Sequence, residues 1–310
     1  MALVRSPHPL IKPLPEGEGE GEGGGGGQGA QRLLVEGARR LRLAGSASGR
    51  LEAELLLGLV LGAPRVEVLA HPERGVPGEA EARFWDLVAR REASEPIAYL
   101  LGEREFYGRM FHTDARALIP RPETELLVEL GVGAVARWRA NGVEPRVVDV
   151  GTGCGAIGVS VAAECGVQVI GTDVSFAALP LARENAALYT VNFRVVQADL
   201  LRGLKGPLHV VLANLPYVPS SRRLPVDVRH YEPHVAIFGG QRGTELIERL
   251  LHEARELLAP GGELAVELDE DEQATPIATL ARHLYPSAEV SVCHDAGGYD
   301  RVVRLVSAKP

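Results

Sequence analysis

The sequence predicts an α/β protein in which a doubly wound parallel sheet follows a small helical domain. From about Arg146 onward, short apolar strands alternate with helical segments, the pattern of a parallel sheet covered by helices. Residues 31–95 instead carry apolar side chains at helical spacing. The 310 residues suffice for roughly two domains.

Composition limits the function classes. Hydrophobic residues make up 45% of the chain, enough for a sizeable packed core. The net charge of −8 suits tight binding of a nucleic-acid backbone poorly, although a local basic patch stays open. The cysteines are Cys154, Cys165 and Cys293, too few and too widely spaced to indicate disulfides or a zinc site. We therefore expect a cytoplasmic protein without a metal.

The N-terminal part divides by composition. Residues 17–29 read GEGEGEGGGGGQG, a solvated segment that buries nothing, and the first thirty residues contain no apolar stretch typical of a signal peptide. The sequence contains no run of about 18 apolar residues, so no membrane span is predicted. The predicted division is a disordered tail over 1–30, a helical domain over 31–95, a linker with short strands or a hairpin over 96–122, and a larger domain over 123–310.

Three helices are predicted in the helical domain. Ser48 is the expected N-cap of the second helix, because serine accepts a hydrogen bond from an unpaired backbone amide there. The apolar positions at helical spacing are Leu33, Leu34, Ala38 and Leu41, then Leu51, Leu55, Leu56 and Val60, then Phe84, Leu87, Val88 and Arg91.

Seven strands are predicted in the larger domain. Pro180 conflicts with the helix expected after Asp173, so that helix must start late or kink. Ligands of such sheets bind beyond the carboxyl ends of the strands, where the motifs below fall. The strand segments are RVVDV, VQVIGTD, FRVVQAD, LHVVLANLPY, GELAVEL, AEVSVCHD and RVVRLV.

A glycine loop follows the first of these strands. Residues 149–155 read Asp-Val-Gly-Thr-Gly-Cys-Gly and precede an apolar helix, so the backbone can turn tightly and present free amides to a ligand. With Ala156 the run also fits the dinucleotide fingerprint. An acid two residues before the first glycine resembles the first acidic position of S-adenosylmethionine-dependent methyltransferases. The loop residues predicted to contact a cofactor are Asp149, Gly151, Thr152, Gly153, Cys154 and Gly155, of which Cys154 is expected to pack rather than to act as a nucleophile.

Two further acids close strands. Asp173 ends the second strand, where a carboxylate can accept both ribose hydroxyl protons, or it serves only to cap a helix. A dehydrogenase could use that same acid, so Asp173 indicates a nucleoside without identifying it. Asp199, followed by Leu200, is expected near the adenine, or is a simple turn residue.

The tetrapeptide Asn-Leu-Pro-Tyr at 214–217 follows the fourth strand. Asn214 can accept one substrate N–H through its side-chain oxygen, and the backbone carbonyl of Leu215 can accept another. Pro216 restricts Leu215 to an extended backbone, and Tyr217 offers a flat face to a planar group. The tetrapeptide therefore suits a substrate whose reacting atom is an amide nitrogen. Such a nitrogen is a poor nucleophile, so its reaction depends on positioning.

Several of these segments together resemble the glutamine methyltransferase family acting on peptide-chain release factors. The resemblance covers residues 31–307 and includes IPRPETELLVE, VVDVGTGCGAIGVSVA, TDVSFAALPLARENA, NLPYVP, REASEPIAYLLGEREFYGR, EPHVAIFGGQRGTELIERLLHEA and DAGGYDRVV.

The resemblance implies a Rossmann-like class I methyltransferase domain, a seven-stranded sheet with its last strand antiparallel, and a helical N-terminal domain that docks the release factor. It implies S-adenosyl-L-methionine as cofactor, S-adenosyl-L-homocysteine as product, and the glutamine of a Gly-Gly-Gln loop as substrate, methylated on N5. Two positions depart from the family pattern: Leu215 replaces the usual proline, and Leu200 stands where some relatives carry a large aromatic residue beside the adenine.

Other interpretations stay open. A related glutamine methyltransferase of a ribosomal protein would keep the chemistry and change the partner. Ribosomal RNA adenine dimethyltransferases share a similar tetrapeptide, but their substrate favours a basic surface. A nicotinamide dehydrogenase would leave residues 214–217 unexplained. No membrane or direct nucleic-acid partner is expected, and a monomer is expected.

The sequence also allows predictions for four other side chains and one turn. Arg121 and Glu123 either approach the cofactor end of the pocket or only stabilise a helix start. His230 and His234 either line the pocket or lie at the surface. The run Gly239-Gly240-Gln241 is predicted to form a turn.

Overall fold

The computed structural model describes residues 29–269 and 272–308. The chain divides into two compact units: residues up to Gly102 with Val226–Tyr231, and Glu103–Pro225 with Glu232 to the C-terminus. The predicted tail lies almost wholly outside the described residues. Gly29 forms a bridge with Gly75, and Ala30, which is buried, begins the first helix. None of the described helices is long and apolar enough to cross a membrane.

The first unit is helical. Its core contains Leu33, Leu56 and Phe84, all fully buried. The helices are α1 (Ala30–Leu43), α2 (Gly49–Leu61), α3 (Arg65–Ala70), α4 (Gly78–Glu92), α5 (Ile97–Leu101) and, from later in the chain, α9 (Val226–Tyr231). The three predicted helices correspond to α1, α2 and α4, whereas α3, α5 and α9 are additions that are too short to show a helical period.

Helix α2 is oriented differently from the sequence prediction. Leu51 is 43% exposed, whereas Glu52 and Glu54 are 7% and 2% exposed. Burying a carboxylate is costly unless it is paired, and Arg91 pairs with Glu52 at 3.1 Å. The hydropathy pattern therefore predicted the wrong buried face for α2, because the paired glutamates lie in the interior. Ser48 does stand at the N-cap, but its side chain makes no capping hydrogen bond.

The second unit is built on a seven-stranded sheet. Its strands are β3 (Val147–Val150), β4 (Val169–Asp173), β5 (Phe193–Gln197), β6 (Leu208–Ala213), β9 (Leu258–Glu267), β10 (Glu289–His294) and β11 (Asp300–Val306), in the order β10-β11-β9-β6-β3-β4-β5. β11 is antiparallel to both of its neighbours, and the pairings among β9, β6, β3, β4 and β5 are parallel. The Rossmann-like fold and the antiparallel last strand are thus confirmed.

Five described helices accompany the sheet, together with two small pairs of strands. The helices are α6 (Glu125–Ala140), α7 (Ala156–Cys165), α8 (Ala178–Leu188), α10 (Glu245–Ala254) and, after the fifth strand of the sheet, α11 (Ala274–Leu284), while the pairs are β1 (Glu103–Phe106) with β2 (Arg109–His112) and β7 (Val218–Pro219) with β8 (Phe238–Gly240). Pro122–Thr124 and His234–Ala236 are short 3₁₀ turns. All five helices lie in the same unit as the sheet.

Pro180 fits the fold because α8 starts at Ala178. The proline stands in the first helical turn, where backbone amides have no intrahelical acceptor, so its missing N–H costs nothing. Of the two outcomes the sequence left open, the structure shows the late start.

Helix α6 packs closely on the sheet at Gly131. A Cβ atom added there would lie 2.6 Å from Leu212 Cδ1, a side chain that is 1% exposed. The absence of a side chain at this position lets the helix approach β6.

We expect Gly131→Ala to lower the free energy of unfolding by about 1–3 kcal/mol, because a well-packed core accepts an extra methyl group only with strain. The matched control is Gly133→Ala on the same helix. Its Cβ would meet only the flexible guanidinium of Arg137, at 3.2 Å, so helix propensity should leave stability equal or raise it by up to about 1 kcal/mol. Urea unfolding measures both, and equal effects from the two variants would contradict the packing argument.

Candidate active site

The glycine loop leaves the end of β3 and enters α7 through three left-handed residues. Gly151, Gly153 and Gly155 have φ values of 71°, 55° and 87°, a region that other residues adopt at a cost. The amides of Gly151 and Thr152 both donate to the Thr172 carbonyl, at 2.8 and 2.9 Å. The loop is therefore tied to the end of the neighbouring strand β4.

Asp149 holds the loop from beneath. Its carboxylate is fully buried, and Oδ2 accepts hydrogen bonds from the Thr152 hydroxyl at 2.5 Å and the Gly158 amide at 3.0 Å. Burial raises the pKa of this carboxyl to about 6, against the lowering effect of those two donors. A Cβ at Gly158 would stand 2.9 Å from Oδ2, so the bond also requires glycine in α7. Asp149 thus joins the strand, the loop and the helix.

Asp173 holds the loop from the side. Its Oδ2 accepts the Gly153 amide and its Oδ1 accepts the Ser175 amide, each at 2.8 Å. Burial raises the pKa of Asp173, and the backbone donors oppose that shift. A carboxylate has about four lone-pair positions, so both oxygens keep capacity to accept further hydrogen bonds.

Asp199 and Leu200 follow β5. Asp199 is bound by Arg249, whose Nη2 lies 2.7 Å from Oδ2, and its side chain is 39% exposed. Leu200 is buried at a φ of 55°, and its carbonyl accepts the Thr172 hydroxyl at 3.1 Å. The ion pair with Arg249 gives Asp199 a structural role that the sequence did not suggest. The proximity of Asp199 to an adenine stays a prediction.

Cys154 lies inside the loop as a buried thiol. Burial raises its pKa to about 12, which keeps it protonated at neutral pH. Its carbonyl accepts the amide of Asn185 at 2.9 Å. The geometry agrees with a packing residue.

The tetrapeptide presents two acceptors that no described residue uses. The Asn214 amide nitrogen donates to the Thr124 hydroxyl at 3.0 Å, and in residues 29–269 and 272–308 no group donates to its Oδ1. No donor in the same ranges reaches the Leu215 carbonyl. The Leu215 side chain is 4% exposed and packs in the core beside Gly151. Leucine thus anchors the backbone by burial where the family pattern has a proline.

Tyr217 leads to a residue that the sequence reasoning missed. Its hydroxyl donates to Glu267 Oε1 at 3.3 Å, and its carbonyl accepts the Gln273 side chain at 2.8 Å. Glu267 ends β9 and is 1% exposed, and its Oε2 is buried with no hydrogen-bond partner among the described residues. A carboxylate closing a buried strand is the signal that identified Asp149 and Asp173, and it was available here too.

Two glycines let the backbone of the tetrapeptide pack against a neighbouring segment. A Cβ at Gly239 would lie 2.2 Å from the Pro216 carbonyl oxygen, and one at Gly243 would lie 2.1 Å from that of Tyr217. Gly239 and Gly240 belong to strand β8, which pairs with β7, so the turn predicted for Gly239-Gly240-Gln241 is wrong for its first two residues. The glycines serve close approach of two backbones rather than chain reversal.

Arg121 belongs to an ion pair. Its Nη2 lies 2.5 Å from Oε1 of Glu232, a buried carboxylate whose Oε2 accepts the Ile119 amide at 3.1 Å. This contact fixes the stretch before α6, which brings Thr124 to Asn214. His230 and His234 are both exposed, which agrees with the surface alternative.

The sheet order and the loop at the end of β3 define a Rossmann-like methyltransferase. In agreement, residues 135–226 match the family model described as "Methyltransferase small domain", and residues 32–102 match the one described as "PrmC N-terminal domain".

Similar proteins identify the family of methyltransferases to which the chain belongs. A release factor glutamine methyltransferase of Deinococcus radiodurans is 41% identical over 275 residues, which span 88% of this chain and 96% of that protein. One of Rhodopirellula baltica is 36% identical over 86% of this chain and 92% of its own. The chain belongs to the release factor glutamine methyltransferase family.

Solved structures are also similar. The release-factor-specific protein-(glutamine-N5) methyltransferase of Alicyclobacillus acidocaldarius is 27% identical, with a TM-score of 0.40, over 64% of this chain and 100% of that one.

We expect the pH dependence of the free energy of unfolding to reflect the protonation of Glu267. Burial raises the pKa of this carboxyl from 4.5 to about 7, so the folded protein binds the proton more tightly than the unfolded chain does. The free energy of unfolding therefore falls as pH rises from about 4.5 to 7. Relative to wild type, Glu267→Gln should gain about 1–3 kcal/mol between pH 5 and pH 8.

Urea titrations at the two pH values measure that difference, with the exposed Glu256→Gln as control. A difference between wild type and Glu267→Gln that stays constant with pH would contradict the shifted ionisation.

Proposed function

We propose that this protein transfers a methyl group from S-adenosyl-L-methionine to the side-chain amide nitrogen of the glutamine in the Gly-Gly-Gln motif of peptide-chain release factors. The observation that supports this most is the pair of acceptors at Asn214 Oδ1 and the Leu215 carbonyl, which no donor in the described part of the chain reaches. A primary amide has two N–H donors, so the two acceptors match its hydrogens.

Positioning is the main contribution of the tetrapeptide. The substrate amide nitrogen would form a bond to the methyl carbon as the bond from that carbon to the sulfonium breaks. S-adenosyl-L-homocysteine would leave as a neutral thioether, and the surplus proton on nitrogen would pass to water, which gives the N-methyl amide. Because its lone pair is delocalised, the nitrogen must be held in line, and effective molarity can supply about 7–11 kcal/mol. The two oxygens also stabilise the positive charge that develops on nitrogen.

Tyr217 contributes a neutral ring. Its pKa is raised, chiefly by burial and then by the nearby Glu267 carboxylate, so the phenol stays protonated. The ring can cover a planar amide without adding charge.

The residues of the glycine loop fit the proposed cofactor. Asp173 retains acceptor capacity for the two hydroxyls of a ribose, and the glycines leave the backbone open to close approach. S-adenosyl-L-methionine supplies the methyl group on a sulfonium, and S-adenosyl-L-homocysteine is the product.

The partner is assigned from the family. Its named relatives are release factor glutamine methyltransferases, and the chain covers most of their length. A protein substrate also agrees with a net charge of −8, which disfavours direct nucleic-acid binding. We propose a cytoplasmic monomer whose helical unit docks the release factor. A ribosomal protein is the second candidate partner and shares the chemistry.

Asp173→Ala should weaken cofactor binding by about 1.5–3 kcal/mol, the scale of hydrogen bonds to a charged group. Isothermal titration calorimetry with S-adenosyl-L-homocysteine measures this change. Glu144→Ala is the control, because it removes a carboxylate just before β3, where Glu144 pairs with Arg139 at 2.6 Å. Unchanged affinity in Asp173→Ala, or an equal loss in the control, would contradict the ribose role.

Asn214→Ala should lower kcat by at least about a hundredfold, the scale seen when one oriented polar group is removed from an active site. The control is Asn192→Ala, which removes an exposed asparagine side chain whose only hydrogen-bond partner among the described residues is Gln168. The assay is mass spectrometry of the Gly-Gly-Gln peptide from a release factor incubated with the protein and S-adenosylmethionine.

The wild-type reaction should add one methyl group to the glutamine. Cofactor binding without that methyl group would reject the release factor as substrate and favour the ribosomal protein. Wild-type activity in Asn214→Ala would reject the acceptor role while leaving the substrate assignment intact.

A further inference from the structure

Tyr217 is held at both ends by the segment that joins β9 to α11. Its phenol hydroxyl donates to Oε1 of Glu267, the last residue of β9, at 3.3 Å. Its backbone carbonyl accepts the side-chain amide of Gln273, the N-cap residue of α11, at 2.8 Å. The ring of Tyr217 is therefore anchored both at its tip and at the backbone from which it projects.

The two backbone partners of Gln273 decide how its side-chain amide is turned. The Tyr217 carbonyl can only accept, so it takes the Gln273 nitrogen. The Asp269 amide can only donate, and it reaches the Gln273 oxygen at 3.2 Å. Rotating the Gln273 amide by half a turn would place two acceptors together at one end and two donors together at the other. Each of the two hydrogen bonds therefore supports the other.

Gln273 does not fill the ordinary role of a residue at a helix start. A side chain at the N-cap can accept a backbone amide of the first turn, yet Gln273 makes no such hydrogen bond. The residue is buried, where an amide group costs free energy unless it is hydrogen-bonded. The polar atoms of Gln273 serve Tyr217 and Asp269 instead.

Neighbouring segments close around the Tyr217 carbonyl. A Cβ atom at Gly243 would lie 2.1 Å from the Tyr217 oxygen and 2.9 Å from the Gln273 nitrogen, so glycine is what leaves room for their hydrogen bond. Asp269 also forms an ion pair with Arg222, which follows the tetrapeptide in the chain. The backbone of the tetrapeptide and the loop after β9 are thus tied together at two places.

We propose that Gln273 is a positioning residue that holds Tyr217 with its ring over the substrate amide. This inference rests on the proposed function, because it assigns a cause to the contact between the ring and the substrate. Gln273 does not have to touch the substrate itself. Its hydrogen bond fixes the backbone of Tyr217, while Glu267 fixes the hydroxyl, so the ring keeps one orientation.

The first test is Gln273→Met, which keeps a long side chain and removes both polar atoms. We expect kcat for methylation of the Gly-Gly-Gln peptide to fall by about ten- to a hundredfold, because a displacement of about 1 Å in an active site can cost a hundredfold. The affinity for S-adenosyl-L-homocysteine should change less than about twofold, because the glycine loop keeps its own hydrogen bonds.

The matched control is Tyr285→Phe at the other end of α11. It also removes a hydrogen bond from a side chain to a backbone carbonyl, since the Tyr285 hydroxyl donates to the Leu251 carbonyl at 2.7 Å. The tetrapeptide is not involved in that bond, so kcat should stay within about threefold of wild type.

A double-mutant cycle distinguishes positioning of the ring from a general structural role. Tyr217→Leu removes the ring and should lower kcat at least as far as Gln273→Met does. In the Tyr217→Leu background, Gln273→Met should cost less than about a further threefold, because there is no ring left to orient. A residue that only stabilises the fold would cost the same in both backgrounds.

Gln273→Glu is the second variant, and it separates the two hydrogen bonds of Gln273. At about pH 9 its ionised carboxylate keeps an acceptor for the Asp269 amide but has no donor for the Tyr217 carbonyl. We expect kcat to fall at least as far as in Gln273→Met. If the bond to Asp269 were the one that matters, Gln273→Glu would keep its activity.

Five outcomes overturn the proposal: wild-type kcat in Gln273→Met, the same loss in both backgrounds of the cycle, full activity in Gln273→Glu, an equal loss in Tyr285→Phe, or a loss of cofactor affinity as large as the loss of kcat. If wild type methylates glutamine, each of these refutes only the role of Gln273. If wild type does not methylate glutamine, the proposed function itself fails and the role of Gln273 fails with it.

Discussion

Buried carboxylates at the ends of parallel strands are the constraint on which the site depends. A carboxylate removed from water is costly unless donors reach it. Asp149, Asp173 and Glu267 lie at or next to the ends of β3, β4 and β9. Asp149 accepts from the loop and helix that follow its own strand, whereas Asp173 and Glu267 accept from segments that follow other strands. Satisfying these three groups fixes the glycine loop, the start of α8 and the tetrapeptide at one edge of the sheet.

Glycine makes that arrangement possible at several positions. Gly158 lets α7 approach Asp149, and Gly239 and Gly243 let a second backbone lie against the tetrapeptide. At each of these positions a side chain would collide with backbone or with a buried carboxylate. The polar contacts of the site therefore depend on close packing that only glycine permits.

The sequence predicted the parts of this structure that have a local signal. All seven strands were predicted, because each is a short apolar run bounded by polar or turn residues. The left-handed glycines after β3 followed from their spacing. Pro180 indicated either a late helix start or a kink, and α8 begins where the proline is tolerated.

What could not be predicted depends on tertiary partners. Leu51 is exposed because Glu52 is paired with Arg91, 39 residues away. Asp199 pairs with Arg249 on α10, which a reading of its own segment cannot show. The hydrogen bond from Asn214 to Thr124 joins residues 90 positions apart. Only Glu267 carried a usable local signal, as an acid that closes an apolar strand.

Two acceptors that no described residue uses, Asn214 Oδ1 and the Leu215 carbonyl, are proposed to hold a primary amide. A crystal structure with S-adenosyl-L-homocysteine and a Gly-Gly-Gln peptide tests this most directly. The account predicts the glutamine side-chain nitrogen within hydrogen-bond distance, about 2.7–3.2 Å, of both Asn214 Oδ1 and the Leu215 carbonyl. A glutamine whose carbonyl oxygen faces Asn214, or whose amide lies away from Leu215, would contradict it.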